Sequence, residues 1–86
     1  MATPSDRTEI IAELREVFDR VTDGRLDVSR IGEDAHVIND LGLSSLELLE
    51  LRFELESVWN VVPDDDQVRR LQTVRDVIEL IAARAA

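Results

Sequence analysis

The sequence predicts an all-α protein: a small four-helix bundle of three longer helices and one short helix, with a long loop between helices 1 and 2. Three observations lead to this prediction. The 86 residues suffice for a single small domain, 1–86. Hydrophobic residues make up 44% and charged residues 34% of the chain, a composition typical of globular proteins. Apolar residues also recur at the three- and four-residue spacing of amphipathic helices in separate stretches.

The composition excludes several classes of function. The formal net charge is −9, and every positive charge is an arginine because the sequence contains no lysine. Nucleic acids and anionic membranes favour clustered positive charge, so we expect neither as a partner, whereas a basic protein surface fits. Without cysteine and with His36 as the single histidine, no thiolate or multi-histidine metal site is expected. No apolar run approaches the roughly 20 residues of a membrane span, and no export signal is found, so we expect a cytoplasmic monomer.

Helical spacing predicts a first helix over about residues 5–22. Its apolar residues are Ile10, Ile11, Leu14, Val17, Phe18 and Val21. Asp6, followed three residues later by Glu9, fits a capping box at the start of this helix. Asp23 and Gly24 supply the stop, with Gly24 expected in the left-handed conformation of a C-terminal cap.

Residues 23–44 show no sustained period and form the predicted long loop. The apolar residues of this stretch are scattered among glycines, Asn39 and five acids. A loop of about twenty residues is unusual in a compact domain unless it is functional. We expect its apolar side chains to anchor it to the core while it links two helices that run the same way, or crosses one end of the bundle.

The second helix has the clearest start signal. Ser44 followed by Glu47 is a Ser-x-x-Glu capping box, which makes Ser44 the N-cap and Ser45 the first helical residue. The predicted inward stripe contains Leu48, Leu51, Leu55 and Val58/Trp59, with Leu49 beside it. Asn60 and Pro63 end the helix near residue 59 or 60.

Most of the negative charge lies on and after this helix. Residues 45–66 carry seven acids and one arginine, which accounts for −6 of the net −9. Glu47, Glu50 and Glu54 form one acidic stripe at three- and four-residue spacing. Such a stripe is either a solvated helix face or a docking surface for a basic partner, and charge alone does not separate the two.

Two further helices complete the bundle. Asp64–Asp66 suit the first turn of a short helix that reaches Val68 and Leu71, since acids are favoured at helix N-termini. These acids lack the spacing and the glycine of a calcium-binding loop, so no metal site is predicted. Thr73 caps a last helix that turns its apolar side inward and its arginines outward. The inward residues are Val74, Val77, Ile78 and Ile81, and the outward ones are Arg75 and Arg84.

Catalysis is not expected from the two serines at the start of the second helix. Ser44 or Ser45 could serve as a nucleophile with His36 as the base. The Gly42-x-Ser44 sequence, however, lacks the second glycine of a nucleophile elbow, and no strand precedes it. An exposed hydroxyl at a helix N-terminus suits a phosphodiester instead, because unpaired N–H groups and a partial positive charge favour an anion there.

Residues 40–51, Asp-Leu-Gly-Leu-Ser-Ser-Leu-Glu-Leu-Leu-Glu-Leu, resemble the phosphopantetheine attachment site of acyl carrier proteins. That family usually reads Asp-Leu-Gly-x-Asp-Ser-Leu-Asp/Glu-x-x-Glu-Leu. The resemblance continues in Glu33–Asp34 of the loop, in Pro63–Asp64 after the second helix and in Thr73–Ile78 at the start of the last. It spans roughly residues 10–82, so the chain is similar to a freestanding member of this family.

The resemblance implies a carrier and not an enzyme. Ser45 falls on the serine that accepts 4′-phosphopantetheine from coenzyme A, a transfer made by a separate phosphopantetheinyl transferase. The thiol of that arm would hold an acyl group as a thioester. Partner enzymes would be acyl-loading enzymes, synthases or transferases of fatty-acid, polyketide or related specialised biosynthesis.

Two surfaces follow from the same resemblance. Glu47, Glu50 and Glu54 fall where the family docks onto basic patches of its enzymes, and Leu46, beside the attachment serine, falls where the family often makes an apolar partner contact. These four residues are called the docking face below. The core leucines of the second helix would border a cavity that shelters the acyl chain.

One position departs from the family pattern. The aspartate that usually precedes the attachment serine is Ser44 here, which leaves the preferred transferase and the partners open. Gly42–Leu43 favours an acyl carrier over a peptidyl carrier, which more often has Gly-Gly-x-Ser, and an aminoacyl or peptidyl carrier is the first alternative. The second alternative is an acidic helical interaction adaptor that is never modified.

Overall fold

The computed structural model describes the backbone of residues 7–85 and the side chains of residues 7–83. Within that part of the chain the helices are α1 (Arg7–Val21), α2 (Ser45–Trp59), α3 (Asp65–Arg70) and α4 (Val74–Ala85), with a 3-10 turn at Val28–Arg30. The described residues form no strand, although His36 and Thr73 make an isolated antiparallel bridge. The predicted bundle of three longer helices and one short helix, with a long loop after the first, is confirmed.

The core is built mainly from α1 and α4. Its buried residues on these helices are Ile10, Leu14, Val17, Phe18 and Val21 of α1, and Val74, Val77, Ile78 and Ile81 of α4. Fully burying a side chain of this kind stabilises the fold by about 1.5–3 kcal/mol relative to leaving it exposed. The inward faces predicted for the first and last helices are therefore the faces that hold the bundle together.

Helix α2 buries a narrower stripe than its sequence predicts. Leu51 and Leu55 are buried, and Leu48 and Trp59 are half-buried against the core, whereas Val58 is 40% exposed. Val58 follows Leu55 by three residues and so lies about 60° away from it around the helix. In the last turn that rotation takes the side chain off the core, so the prediction is wrong for Val58 and correct for Trp59.

The end of α1 is a Schellman motif whose first left-handed residue is Asp23. The Asp23 N–H donates to the Arg20 carbonyl at 3.2 Å, and the Gly24 N–H donates to the Asp19 carbonyl at 2.9 Å. Asp23 has φ 53° and Gly24 has φ 75°. The prediction placed the left-handed conformation at Gly24 alone, whereas Asp23 adopts it as well. Aspartate tolerates this conformation because its side chain is short and polar. The capping box predicted at Asp6 lies outside the described residues.

The long loop is anchored to the core by its apolar side chains, as expected. Its buried apolar residues are Ile31, Val37, Leu41 and Leu43. Backbone bonds tie it to the start of α4: the Val37 N–H donates to the Gln72 carbonyl at 2.8 Å, and the Val74 N–H donates to the Ala35 carbonyl at 3.0 Å. These bonds satisfy backbone groups that would otherwise need water, and they fix the loop against the start of α4.

The two C-terminal helices begin with reciprocal caps. The Asp64 carboxylate accepts from the Gln67 N–H at 2.8 Å, and the Gln67 side chain accepts from the Asp64 N–H at 3.0 Å. The Thr73 hydroxyl accepts from the Asp76 N–H at 3.2 Å, while the Asp76 carboxylate accepts from the Thr73 N–H at 3.0 Å. Thr73 thus caps α4 as predicted, and Asp64 caps α3 one position before its first turn.

Candidate functional site

Ser44 and Glu47 form a complete capping box at the start of α2. The Ser44 hydroxyl accepts from the Glu47 N–H at 3.1 Å, and the Glu47 carboxylate accepts from the Ser44 N–H at 2.9 Å. Ser44 lies in the extended region, with φ −78° and ψ 169°, as an N-cap residue should. The Ser44 hydroxyl is therefore engaged in the fold of the helix.

Ser45 differs from its neighbour in having a free hydroxyl. It is the first residue of α2 and is exposed. No hydrogen bond joins its hydroxyl to any of the described side chains or backbone groups. A hydroxyl at this position lies next to unpaired N–H groups of the first helical turn, where negative charge is favoured. Of the two serines, Ser45 is the one that an incoming group can reach without disturbing the cap.

The turn before these serines is pinned by its apolar residues. Leu41 and Leu43 are buried, and Gly42 between them has φ 67°, a conformation that favours glycine. The His36 carbonyl accepts from the Leu41 N–H at 3.0 Å, and the Asp40 carboxylate accepts from the His36 N–H at 2.7 Å. The Asp-Leu-Gly part of the motif therefore has a structural function: it sets the approach of the chain to α2.

His36 stabilises the loop through its imidazole ring. Its Nδ1 accepts from the backbone N–H groups of Ile38 at 3.2 Å and of Asn39 at 3.1 Å. Both bonds use Nδ1, so this ring nitrogen stabilises the turn that precedes the serines. Among the described residues no group of three or more acidic or histidine side chains could hold a metal ion.

No helix of this part of the chain is long and apolar enough to cross a membrane.

An arginine that the sequence analysis did not single out supports the start of α2. Arg25 donates from Nη2 to the Glu47 carboxylate at 2.7 Å and from Nη1 to the Leu41 carbonyl at 3.3 Å. The pKa of Glu47 is lowered, first by the hydrogen bond from the Ser44 N–H and then by the one from Arg25. The arginine is twenty-two residues before the glutamate, so no local sequence signal links them.

The docking face is less uniformly acidic than its sequence suggests. Glu54 accepts from Arg20 Nε at 3.0 Å, and Glu47 is bound to Arg25 as above. Glu50 is exposed and, among the described residues, forms no ion pair. The Leu46 side chain is 64% exposed beside it. The structure thus brings all four predicted residues to one side of α2, but two of the three carboxylates are already paired with arginines at the end of α1 and just after it.

The same side of α2 exposes further apolar side chains. Leu49 and Phe53 are 45% and 59% exposed. They lie three and seven residues after Leu46, which places the three on adjacent positions of one helix face. The surface around Glu50 is therefore a mixture of apolar and acidic groups.

A largely apolar cavity of about 260 Å³ opens on the opposite side of α2. Leucines of α2 line one wall, namely Leu48, Leu51 and Leu55, and Pro63, Val68 and Leu71 line the wall near α3. Arg52 and Arg69 are the charged residues of its lining. Arg52 is tied back to the Pro63 carbonyl at 3.0 Å, so its aliphatic stem forms part of the wall.

Replacing Ser44 tests the cap directly. Ser44→Ala is expected to lower the free energy of unfolding by about 1 kcal/mol, because the Glu47 N–H loses its acceptor. Ser44→Asp is expected to be near neutral, since aspartate and serine rank close together as N-caps. Urea unfolding of the parent and both variants measures the difference. An alanine variant as stable as the parent would contradict the cap.

The lowered carboxyl pKa values predict acid sensitivity. The pKa of Asp76 is lowered by hydrogen bonds from the Thr73 and Gln72 N–H groups, as that of Glu47 is by Ser44. Because the unfolded chain then binds protons at higher pH than the folded chain, stability rises with pH. The contribution is complete above the unfolded values of about 4 and is lost as the pH falls through the lower folded values.

Urea unfolding at a series of pH values measures this loss. Glu47→Gln is expected to flatten the dependence below about pH 5, because the amide does not titrate. Glu13→Gln, at an exposed position of α1, is the control and should follow the parent curve. A Glu47→Gln curve parallel to the parent at acid pH would show that this carboxylate does not stabilise the cap.

Known proteins resemble this chain over most of its length. The family model for the phosphopantetheine attachment site matches residues 10–81. An acyl carrier protein of Streptomyces coelicolor is 33% identical over 86 residues, covering 100% of this chain and 92% of that protein. One of Coprothermobacter proteolyticus is 32% identical over 77 residues, covering 88% and 90%. A solved structure of a candidate acyl carrier protein from Mycobacterium tuberculosis has a TM-score of 0.76 at 23% identity, covering 86% of this chain and 96% of that one, which supports the fold.

The matched family carries acyl groups on a covalently attached 4′-phosphopantetheine. An exposed serine hydroxyl at a helix N-terminus, with no partner among the described residues, fits such an attachment at Ser45. Members of the family are carriers that enzymes act upon, and are not enzymes themselves. Because the family model and full-length relatives agree, this chain belongs to the acyl carrier protein family.

Proposed function

We propose that Ser45 carries the 4′-phosphopantetheine arm and that the chain presents acyl thioesters to partner enzymes. The exposed, unbonded hydroxyl of Ser45 at the first position of α2 is the observation that carries this proposal. The arm supplies a thiol, which a chain without cysteine otherwise lacks. The whole chain, residues 1–86, forms one carrier domain that acts as a monomer in the cytoplasm.

Priming, the attachment of the arm, is a phosphoryl-type transfer onto the serine. The Ser45 oxygen forms a bond to the phosphorus of coenzyme A that bears the pantetheine. The bridging P–O bond of the pyrophosphate breaks, and the adenosine 3′,5′-bisphosphate half leaves. The hydroxyl proton passes to a base of the transferase. The positive end of the α2 dipole lies at this point and favours the phosphodiester that results.

Partner enzymes dock on the acidic and apolar face around Glu50. They are the phosphopantetheinyl transferase and acyl-loading enzymes, synthases or transferases that have basic patches. Fatty-acid, polyketide and related specialised pathways all use carriers of this kind. Opposite charges speed the encounter, while the exposed leucines supply apolar area that the partner buries.

The cavity behind α2 shelters the carried chain. Its apolar lining suits an alkyl or partly reduced acyl group, and its volume of about 260 Å³ exceeds the roughly 150 Å³ that holds one benzene ring. Leu48, one turn after Ser45, lines the cavity and lies near the root of the arm.

Intact-mass measurement tests the proposal. After incubation with coenzyme A and a broad-range transferase, the folded chain is expected to gain the mass of one pantetheine arm and no more. An acyl-coenzyme A in the same assay should add one acyl-pantetheine. Failure of the folded chain to gain mass with several transferases would favour the unmodified adaptor. Aminoacyl loading by an adenylating enzyme, in preference to acyl loading, would favour the aminoacyl or peptidyl carrier.

A further inference from the structure

We propose that Arg25 is a positioning residue for priming: it holds the turn before Ser45 and the first turn of α2 in one fixed relation. The inference rests on the proposed role of Ser45. Arg25 touches none of the reacting atoms, so it acts through the segments on either side of the serine.

Arg25 joins three parts of the chain through its backbone N–H and its guanidinium. Arg25 follows the Schellman motif of α1 directly, and its N–H donates to the Thr22 carbonyl at 3.1 Å. From there the side chain reaches the Leu41 carbonyl at 3.3 Å, the Gly42 carbonyl at 3.5 Å and the Glu47 carboxylate at 2.7 Å. The planar fork of arginine makes several such bonds at once, which a lysine ammonium on a flexible stem does less well.

The contacted groups flank the serine closely. Leu41 and Gly42 lie four and three residues before Ser45, and Glu47 lies two residues after it. The Glu47 oxygen bound by Arg25 is the same oxygen that accepts from the Ser44 N–H at 2.9 Å. The arginine is therefore bonded to the chain on both sides of the attachment point.

The turn needs such a constraint because it contains a glycine in an unusual conformation. Gly42 has φ 67°, and glycine loses more conformational freedom on ordering than any other residue. Its carbonyl and that of Leu41 point at Arg25, whose Nη1 lies 3.6 Å from where a Gly42 Cβ would stand. Without the guanidinium these carbonyls lose the donors that fix the peptide planes leading into α2.

Priming depends on this geometry because the serine oxygen must meet the phosphorus in line with the leaving group. A misplacement of about 1 Å can cost roughly a hundredfold in rate. Residues that hold a reacting side chain in place therefore affect the rate although they contact no substrate. Arg25 is such a residue, because it holds the segments on both sides of Ser45.

The experiment compares Arg25→Ala with Arg20→Ala. The two arginines make matched ion pairs to α2: Arg25 to Glu47 at 2.7 Å, and Arg20 to Glu54, with side chains 46% and 53% exposed. Glu54 lies nine residues after Ser45, about 13 Å along the helix, so loss of Arg20 leaves the attachment site intact. Arg25→Lys is the third variant, because it keeps the charge and loses the fork.

The initial rate of priming is measured against carrier concentration, with thermal melts of each variant. Arg25→Ala is expected to lower kcat/KM by between about three- and thirtyfold at a temperature where the variant is folded. At about 0.5 M salt, where the glutamates that the two alanine variants leave unpaired are screened, Arg20→Ala is expected to stay within about twofold of the parent. Arg25→Lys should recover only part of the loss.

A second readout does not depend on the transferase. In Arg25→Ala the pKa of Glu47, followed by carboxyl NMR, should rise from its lowered value because one of its two donors is gone. The pKa of Glu47 is expected to return only part of the way to its ordinary value, since the Ser44 N–H still binds the carboxylate.

Several outcomes overturn the inference. Equal kcat/KM for Arg25→Ala and Arg20→Ala would show that Arg25 does not position the serine. Full rescue by lysine would reduce its role to charge. If the parent chain is primed normally and Arg25→Ala is primed at the same rate, this inference alone is refuted. If no transferase primes the parent chain, the proposed function and this inference are refuted together.

Discussion

Ser45→Ala is expected to abolish priming completely, while Ser44→Ala is expected to be primed. Alanine at position 45 removes the exposed hydroxyl that would become the phosphodiester oxygen, and the neighbouring hydroxyl cannot replace it without leaving the cap. The Ser44 oxygen accepts from the Glu47 N–H at 3.1 Å and lies outside the helix. The effect at position 45 is all or none because the reaction has no other acceptor at this site.

Peptide mapping of the primed parent locates the arm. Intact-mass measurement shows whether each of the two alanine variants has gained it. Ser45 is exposed, and Ser44 contributes only about 1 kcal/mol through its cap, so we expect both alanine variants to fold. Thermal melts before the priming assay check this. An arm found on Ser44, or full labelling of Ser45→Ala, would refute the assignment. Loss of priming in both variants, with both folded, would mean that the transferase needs the cap as well as the acceptor.

Ser44→Asp introduces the residue that the family usually has before its serine. It separates the role of position 44 as a helix cap from its role in recognition by the transferase. Aspartate keeps the acceptor and adds a negative charge at the favourable end of the helix dipole, so its stability should match or slightly exceed that of the parent. We expect transferases that prime Asp-Ser-Leu carriers to modify this variant at least as fast. A slower variant would mean that Ser44 is matched to a particular transferase.

The sequence predicts α2 and its N-terminal cap well because the interactions that define them are local. The Ser44–Glu47 capping box spans three residues, and the helix that follows needs only a run of good helix formers. Asp64 and Thr73 are recognisable as helix starts for the same reason. Element boundaries at these positions agree with the structure to within a residue or two.

Features that depend on distant contacts could not be predicted in this way. The pairing of Arg20 with Glu54 and of Arg25 with Glu47 joins residues 34 and 22 positions apart, and no period in the sequence connects them. The anchoring of the loop through the Val37 N–H depends likewise on where α4 begins. The exposure of Val58 depends on how far the core extends along α2, which only packing decides.

These ion pairs change what the docking face presents to a partner. Glu47 and Glu54 are compensated by arginines, so long-range attraction for a basic surface rests more on Glu50 than the even spacing of the three acids suggests. Leu46 and Phe53, both more than half exposed, flank Glu50 on the same face. Docking should therefore combine steering by charge with burial of apolar side chains.

Glu50→Arg is accordingly expected to slow association with a basic partner by between about ten- and a hundredfold at low salt. The substitution replaces attraction by repulsion at an exposed position, where stability changes by less than about 0.5 kcal/mol. Glu54→Arg should weaken docking too, but it also sets two guanidinium groups side by side by removing the partner of Arg20. Glu13→Arg makes the same change of net charge at an exposed position of α1, about 10 Å along that helix from Arg20.

Priming kcat/KM with a single transferase, measured from low salt to about 0.5 M, separates the possible outcomes. Because salt screens exposed charges, the parent and Glu50→Arg rates should converge as the ionic strength rises, and Glu13→Arg should stay close to the parent throughout. If Glu50→Arg and Glu54→Arg both react like the parent at low salt, the acidic residues of α2 only keep the protein in solution. If Glu13→Arg is slowed equally, net charge alone governs the encounter, and α2 has no special role in it.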